Sequence, residues 1–172
     1  MNPRLQQLFD TLEADRHSLL ERILPLSSEQ FKRAAPGTWS LSQILSHLIT
    51  AEKLSRLYMN KKTLGIQEAG NTGITEEAKM VLLILSQRLP FKFKAPKKVV
   101  EKTPSYDEIT RLASDWDQER AELKRLLETF SDTQLKKKIY RHVRAGMLNI
   151  QQALIFFREH YLHHYPQIKR LL

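Results

Sequence analysis

Residues 36–54 read PGTWSLSQILSHLITAEKL. Pro36 and Gly37, following Ala35, break any helix that precedes them, because proline has no backbone N–H to donate and glycine accepts turn geometry. Ser40 with Gln43 three residues on is a capping box, in which the hydroxyl accepts an orphan backbone N–H and the amide reaches back to the cap. Leu41, Ile44, Leu45, Leu48 and Leu54 then recur at steps of three and four, so the spacing predicts a long amphipathic helix to about residue 61. His47 lies on the side of that helix that carries Ile44, Ala51 and Leu54.

The same period extends in both directions. Upstream, Leu5, Leu8, Phe9, Leu12, Leu19, Leu20, Ile23 and Leu24 predict a first helix over residues 3–24, ended near Pro25, with Arg4, Gln7, Asp15 and Arg22 on its polar face. Ser27 or Ser28 begins a short turn through Lys32. Downstream, Gly65, Gly70 and Gly73 make a flexible connection to a short apolar helix near residues 76–88, and Pro90, Pro96 and four interleaved lysines make the remainder a loop. Ser105 with Glu108 forms another capping box and opens a third long helix, whose stripe is Ile109, Leu112, Trp116, Leu123, Leu126 and Leu127. Ser131 with Gln134 marks one more turn. A connection through His142 and Gly146 leads to a last helix over residues 147–172.

These elements predict an all-α fold: a four-helix bundle with a long crossover connection between the second and third long helices, plus short extra helices. No repeat or linker divides it, so residues 1–172 are expected to form one domain. A chain of this length buries about two-thirds of the surface that its unfolded form exposes, enough for a core without staples. It contains no cysteine, which excludes a disulfide framework, a catalytic thiol and thiolate ligation of a metal.

The N-terminal residues alternate charge with apolar side chains, unlike a signal peptide, and the longest apolar run, MVLLIL at 80–85, is far too short to cross a bilayer. A cytoplasmic protein with no membrane partner is expected. The net charge of +9 is dispersed, with small clusters at Lys61 and Lys62, at residues 92–98 and at residues 136–138. None lies in a recognisable nucleic-acid module, so solvated faces are the ordinary reading and nucleic acid is not an expected partner. The alternative from a different functional class is a non-catalytic module that binds nucleic acid or protein through the basic loop at residues 92–102.

Of six histidines, His160 and His164 stand four apart on the last helix, on a face that also carries Ala153, Phe156, Phe157, Ile168 and Leu171. Two imidazoles one turn apart, facing a core, can both stay neutral while donating lone pairs to one ion, and His47 can supply a third nitrogen from a facing helix. By spacing alone, such a pair can equally be two surface residues, or be hydrogen-bonded to buried carboxylates. His163, about 100° round the helix from His164, is better placed as a supporting or surface residue, and His17, beside Arg16, as a surface one.

The segment at 36–54 resembles the second-helix signature of the DinB-like family, in which Trp-Ser leads to His-Leu and then a Glu. The closing segment at 142–172, HVRAGMLNIQQALIFFREHYLHHYPQIKRLL, is similar to the family's last stretch, and Trp116 and Arg120 to its third helix. The resemblance implies a metal triad at His47, His160 and His164, a crossed four-helix bundle, and frequently a homodimer. It also implies an enzyme that activates a low-molecular-weight thiol or water to attack a small-molecule substrate, since relatives include thiol transferases, an isomerase and hydrolytic members. The expected cofactor is one divalent ion, zinc or nickel ahead of iron or copper. Glu52, five residues past His47, is the expected catalytic carboxylate, orienting a ligand or relaying a proton, with an ordinary surface carboxylate as the alternative. Asn149 and Gln152 are expected at the mouth of the site, and the dispersed positive charge suits an anionic thiol or acidic electrophile. The chain departs from the family at Val143, where His-Pro is common, and at Pro166, which is expected to kink the last helix just after His164.

Overall fold

The computed structural model describes residues 1–89 and 97–172. Helix α1 spans Pro3–Ile23, capped by the Asn2 side chain, which accepts from the backbone N–H groups of Arg4 and Leu5. Helix α2 is Ser28–Lys32, and α3 is Leu41–Thr63. The capping box read from the sequence closes α3: Ser40 Oγ accepts from Gln43 N at 3.2 Å, and Gln43 Oε1 accepts from Ser40 N at 2.9 Å. After a 3₁₀ turn at Ile66–Glu68 come α4 (Ile74–Arg88), α5 (Lys97–Lys102) and α6 (Ile109–Glu128). A second 3₁₀ turn, Asp132–Gln134, precedes strands β1 (Tyr140–His142) and β2 (Gly146–Leu148), and α7 (Ile150–Leu171) closes the chain. Helix α1 packs against α6 and α7, α3 packs against the same two, and α4 lies along α7.

The fold is helical as expected, with corrections in the connections. Residues 140–148 form an antiparallel hairpin with Arg141 opposite Met147, where only an irregular connection was read. Gly146, at φ +76, supplies the left-handed backbone that this turn needs. Helix α7 consequently begins at Ile150, with Asn149 and Gln152 as its capping box, and not at Met147. The expected box at the start of α6 does not form: the Glu108 side chain turns away to accept from Ser28 Oγ at 3.1 Å. The segment before α6 is held instead by long-range bonds, from Ser42 Oγ to the Tyr106 carbonyl (2.7 Å) and from the Tyr106 hydroxyl to Asp115 (2.7 Å). The basic stretch expected as a loop is helical at α5, and its remainder, residues 90–96, lies outside the described residues.

The core has two apolar parts. One gathers Leu5, Phe9, Met59, Leu127, Leu148 and Phe157; the other gathers Leu19, Ile23, Leu45, Leu48, Trp116 and Ile168. In α1, α3 and α6 the residues between these two sets are charged and buried. Arg120 Nη2 donates to Glu52 Oε1 at 3.0 Å, with both side chains 5 % exposed, and Arg120 Nε lies 3.4 Å from Glu13 Oε1. Arg56 grips Glu119 through two nitrogens, and Arg16 pairs with Glu13 and Asp117. Arg16 is buried with one partner from its own helix, Glu13, and one from α6, Asp117, and the second is a contact that the period of α1 cannot reveal. Burial pushes the Glu52 carboxyl above its usual range although Arg120 opposes the shift.

A buried ion pair is weak in net terms while both members are present, but removing one strands a desolvated charge. Arg120→Ala is therefore expected to destabilise the protein by about 3–5 kcal/mol in urea denaturation, and the double replacement Glu52→Leu with Arg120→Met by clearly less. If both variants lost the same stability, or Arg120→Ala lost almost none, the charged layer would not have this role.

Candidate metal centre

His47 comes from the second turn of α3, and His160 and His164 come from successive turns of α7; packing of α3 on α7 brings the three together. One ring nitrogen of each lies within 4.8 Å of the others. The Nε2 atoms of His47 and His160 stand 3.2 Å apart, and the ring centroids are separated by 5.0–5.2 Å. His47 and His164 are buried, and His160 is partly so. Pro166 does not displace His164: α7 continues to Leu171, and Ile168 beyond the proline is wholly buried. The single hydrogen bond lost at Pro166 is offset by that packing.

Burial holds these imidazoles neutral. It pushes His47 from 6.5 down to about 4, with His164 adding a smaller repulsion. It also pushes His164 to about 4, against an opposing hydrogen bond from Gln167, and His160 well below its ordinary value. The last bond also sets a tautomer. His164 Nδ1 meets Gln167 Oε1 at 3.0 Å, and since an amide oxygen only accepts, Nδ1 carries the proton and Nε2 presents its lone pair. At 3.2 Å, the two facing Nε2 atoms of His47 and His160 cannot both bear protons, so at least one lone pair points into the shared space.

The other expected residues have different places. The Glu52 carboxylate lies in the charged layer with Arg120, and the contacts described for it do not include the three rings. Asn149 and Gln152 cap α7, Asn149 Nδ2 also donates to Thr72 Oγ1 at 2.6 Å, and neither residue lines the cleft that reaches His47. His142 Nδ1 accepts from the backbone N–H groups of Arg144 and Ala145, closing the hairpin turn, and its ring packs on Phe156 at 4.4 Å. His163 Nδ1 lies 2.7 Å from the Gln87 carbonyl at the end of α4. His17 sits on the surface against Arg16.

Family comparison matches residues 11–168 to the DinB superfamily. The chain belongs to the DinB superfamily. Its members are generally metal-binding, and the three imidazoles of this DinB-superfamily protein could hold an ion. No curated protein and no solved structure matches the chain.

Two further residues complete the centre. Gln167 reaches His164 because residues three apart on a helix are neighbours, a spacing visible in the sequence. Trp39, immediately before the cap of α3, meets the His47 ring edge-on at 5.2 Å and lies nearly parallel to the His164 ring at 6.3 Å. It forms one wall of a cleft of about 280 Å³ that reaches His47, lined also by Ser42, Gln43, Val100, Thr103, Pro104 and Ser105. A broader groove along α1, from Pro3 to Asp15 with Arg158, is open surface without a histidine. No described helix is long and apolar enough to cross a membrane.

The depressed histidines make stability pH-dependent. In the unfolded chain they take up protons below 6.5, but in the folded protein only near 4, so their contribution is complete above pH 6.5 and is lost as pH falls towards 4. With chelator present, the slope of unfolding free energy against pH should be steeper for the native sequence than for His47→Gln/His164→Gln by close to two protons, about 2.7 kcal/mol per pH unit. Parallel slopes between pH 6.5 and 4.5 would show that these rings are solvated.

Proposed function

We propose that this protein is a metal-dependent enzyme that holds one divalent ion through His47, His160 and His164 and activates a small nucleophile, a low-molecular-weight thiol or water, for transfer to or hydrolysis of a small substrate. The observation that carries the reading is three largely buried, neutral imidazole nitrogens within 4.8 Å of one another, drawn from two helices. Nitrogens at about 2.0–2.1 Å from a tetrahedral ion are about 3.3 Å apart, and the His47–His160 separation of 3.2 Å suits that spacing. Three protein ligands leave a position for a reactant, the pattern of catalytic sites. When bound, the ion would act as a Lewis acid, bringing the pKa of a coordinated water or thiol into the neutral range. An all-nitrogen donor set suits zinc or nickel, with iron and copper as further choices.

The chain's own residues prepare this chemistry. Gln167 holds the His164 proton on Nδ1, and Trp39 screens two of the rings from solvent. Glu52 acts at one remove: by pairing with Arg120 it sets α3 against α6, and with α3 the position of His47. The reading takes α1, α3, α6 and α7 as a four-helix bundle, and the stretch between α3 and α6 as its crossover. The packing of α1 and α3 each on α6 and α7 supports this, since it sets α1 opposite α3 and α6 opposite α7, while the long stretch that carries α4 and α5 joins the neighbouring helices α3 and α6.

Freshly purified protein should contain close to one ion per chain, and His160→Ala should lose both the ion and activity in a screen of thiol and electrophile pairs. Gln167→Leu should weaken metal affinity about 10- to 100-fold against a competing chelator, as loss of a partner to a ligating imidazole does. Failure of zinc, nickel, iron and copper alike to raise the urea midpoint would end the proposal.

The homodimer belongs to the same reading. Ile74, Ala78, Val81, Leu82 and Leu85 fall within about 100° of arc on α4, Leu89 follows just past its end, and all are exposed, Ile74 by 85 %. Such a stripe, several hundred Å² in area, is of the scale that marks an interaction surface. Glu77 and Arg88 lie along one flank near opposite ends of α4, so antiparallel pairing with a second copy sets unlike charges together. Sedimentation should give a dimer for the native sequence and a monomer for Leu82→Glu/Leu85→Glu; a native monomer at micromolar concentration would refute the assignment.

A further inference from the structure

We infer that the cleft beside His47 is a binding subsite for an uncharged, flat, apolar part of the substrate, an aromatic or heteroaromatic group that packs on Trp39. The inference takes its chemistry from the metal reading above, but the binding itself rests on the cleft. At about 280 Å³ the space is small-molecule sized, near the lower end of the range of about 300–1,000 Å³ for such sites.

Its described lining carries no lysine, arginine, aspartate or glutamate, and the one titratable ring, His47, is neutral. Most of its polar atoms are turned inward: Ser42 Oγ donates to the Tyr106 carbonyl and Thr103 Oγ1 to the Val99 carbonyl, each at 2.7 Å, while Gln43 Oε1 accepts from the Ser40 N–H; the Ser105 hydroxyl, also in the lining, is neutral. A carboxylate placed against this wall would lose its water with no lysine or arginine of the described lining to pair with, and only the proposed ion beyond His47 to offset the loss. The net charge of +9 therefore does not translate into an anion-binding cleft among the described residues, contrary to the expectation from composition.

The apolar wall is Trp39, Val100 and Pro104. Trp39 is the unusual member: an indole 41 % exposed at the rim, steadied by the two imidazoles behind it. An exposed indole held in place offers stacking area with little ordering left to lose, so a planar group gains most from it. The same wall borders His47, which sets the reacting atom of a bound group beside the proposed ion.

The test compares benzyl mercaptan with mercaptosuccinate by calorimetry on the zinc-loaded full-length chain at neutral pH. Benzyl mercaptan should bind at least tenfold more tightly. Trp39→Ala should weaken it about tenfold while changing mercaptosuccinate less than twofold, and Trp39→Phe should retain most of the affinity. Equal or tighter binding of mercaptosuccinate overturns the inference. So does a Trp39→Ala variant that loses its zinc or weakens both ligands alike, because Trp39 would then be supporting the histidines and not binding the ligand. If the chain takes up no zinc, 2-naphthol is titrated into the metal-free protein. Trp39-dependent binding there supports the cleft while the metal reading falls, and the absence of such binding overturns the cleft as well.

Discussion

Glu52 and Arg120 meet inside the protein, nearly stripped of water, and the arrangement of the long helices follows from the need to keep them together. Each alone would carry a desolvation penalty of several kcal/mol. With Arg16, Arg56, Glu13, Glu119 and Asp117 they form a layer between two apolar halves of the core. Apolar packing tolerates sliding of one helix along another more readily than a charged layer does, because a slip leaves a carboxylate or guanidinium unpaired. The layer thus fixes the height of α3 relative to α1 and α6. His47 stands little more than one turn away on α3, so its height is fixed too.

The three imidazoles follow the opposite rule. Where the charged layer survives burial by pairing, the histidines survive it by discharging, since burial disfavours their charged forms and His47 and His164 further lower the basicity of His160. Neutral rings with converging nitrogens have few ways to be satisfied. A hydrogen bond uses one proton between two rings, and Gln167 takes the proton of a third. A cation in the shared space would satisfy every remaining lone pair at once, which is why this donor set is better matched to an ion than to a proton. The cleft alongside is of another character, with the hydroxyls of Ser42 and Thr103 turned to backbone carbonyls and an indole at the rim. In the proposed reading, charge chemistry and substrate contact fall on different walls of one site.

Local signals were read where a helix carries its own instructions. Ser40 with Gln43, and the apolar steps of α1 and α3, placed those two helices to within about two residues, because caps and period depend on neighbours within one turn. The pair His160 and His164 was legible for the same reason. Ser105 with Glu108 carried an equally good local pattern and failed, since Ser28, eighty residues earlier, offered Glu108 a different partner. The hairpin at residues 140–148 escaped because three-residue strands show too little alternation to be read. Asn149 and Gln152 looked like site residues until α7 was seen to need them as its cap.

Residue type and short-range spacing were enough for the helical class, most helix limits, the exclusion of cysteine chemistry and the choice of three histidines. It took the packed helices to show that His47 meets His160 across 113 positions of chain, that Arg16 and Glu52 lie in a buried charged layer, and that Trp39 walls a cleft without a lysine, arginine or carboxylate in its described lining. The physical reason is that burial and partnership are properties of pairs of elements. A helix specifies which face is apolar, but what a buried polar group on that face will find opposite is settled only by the helix packed against it.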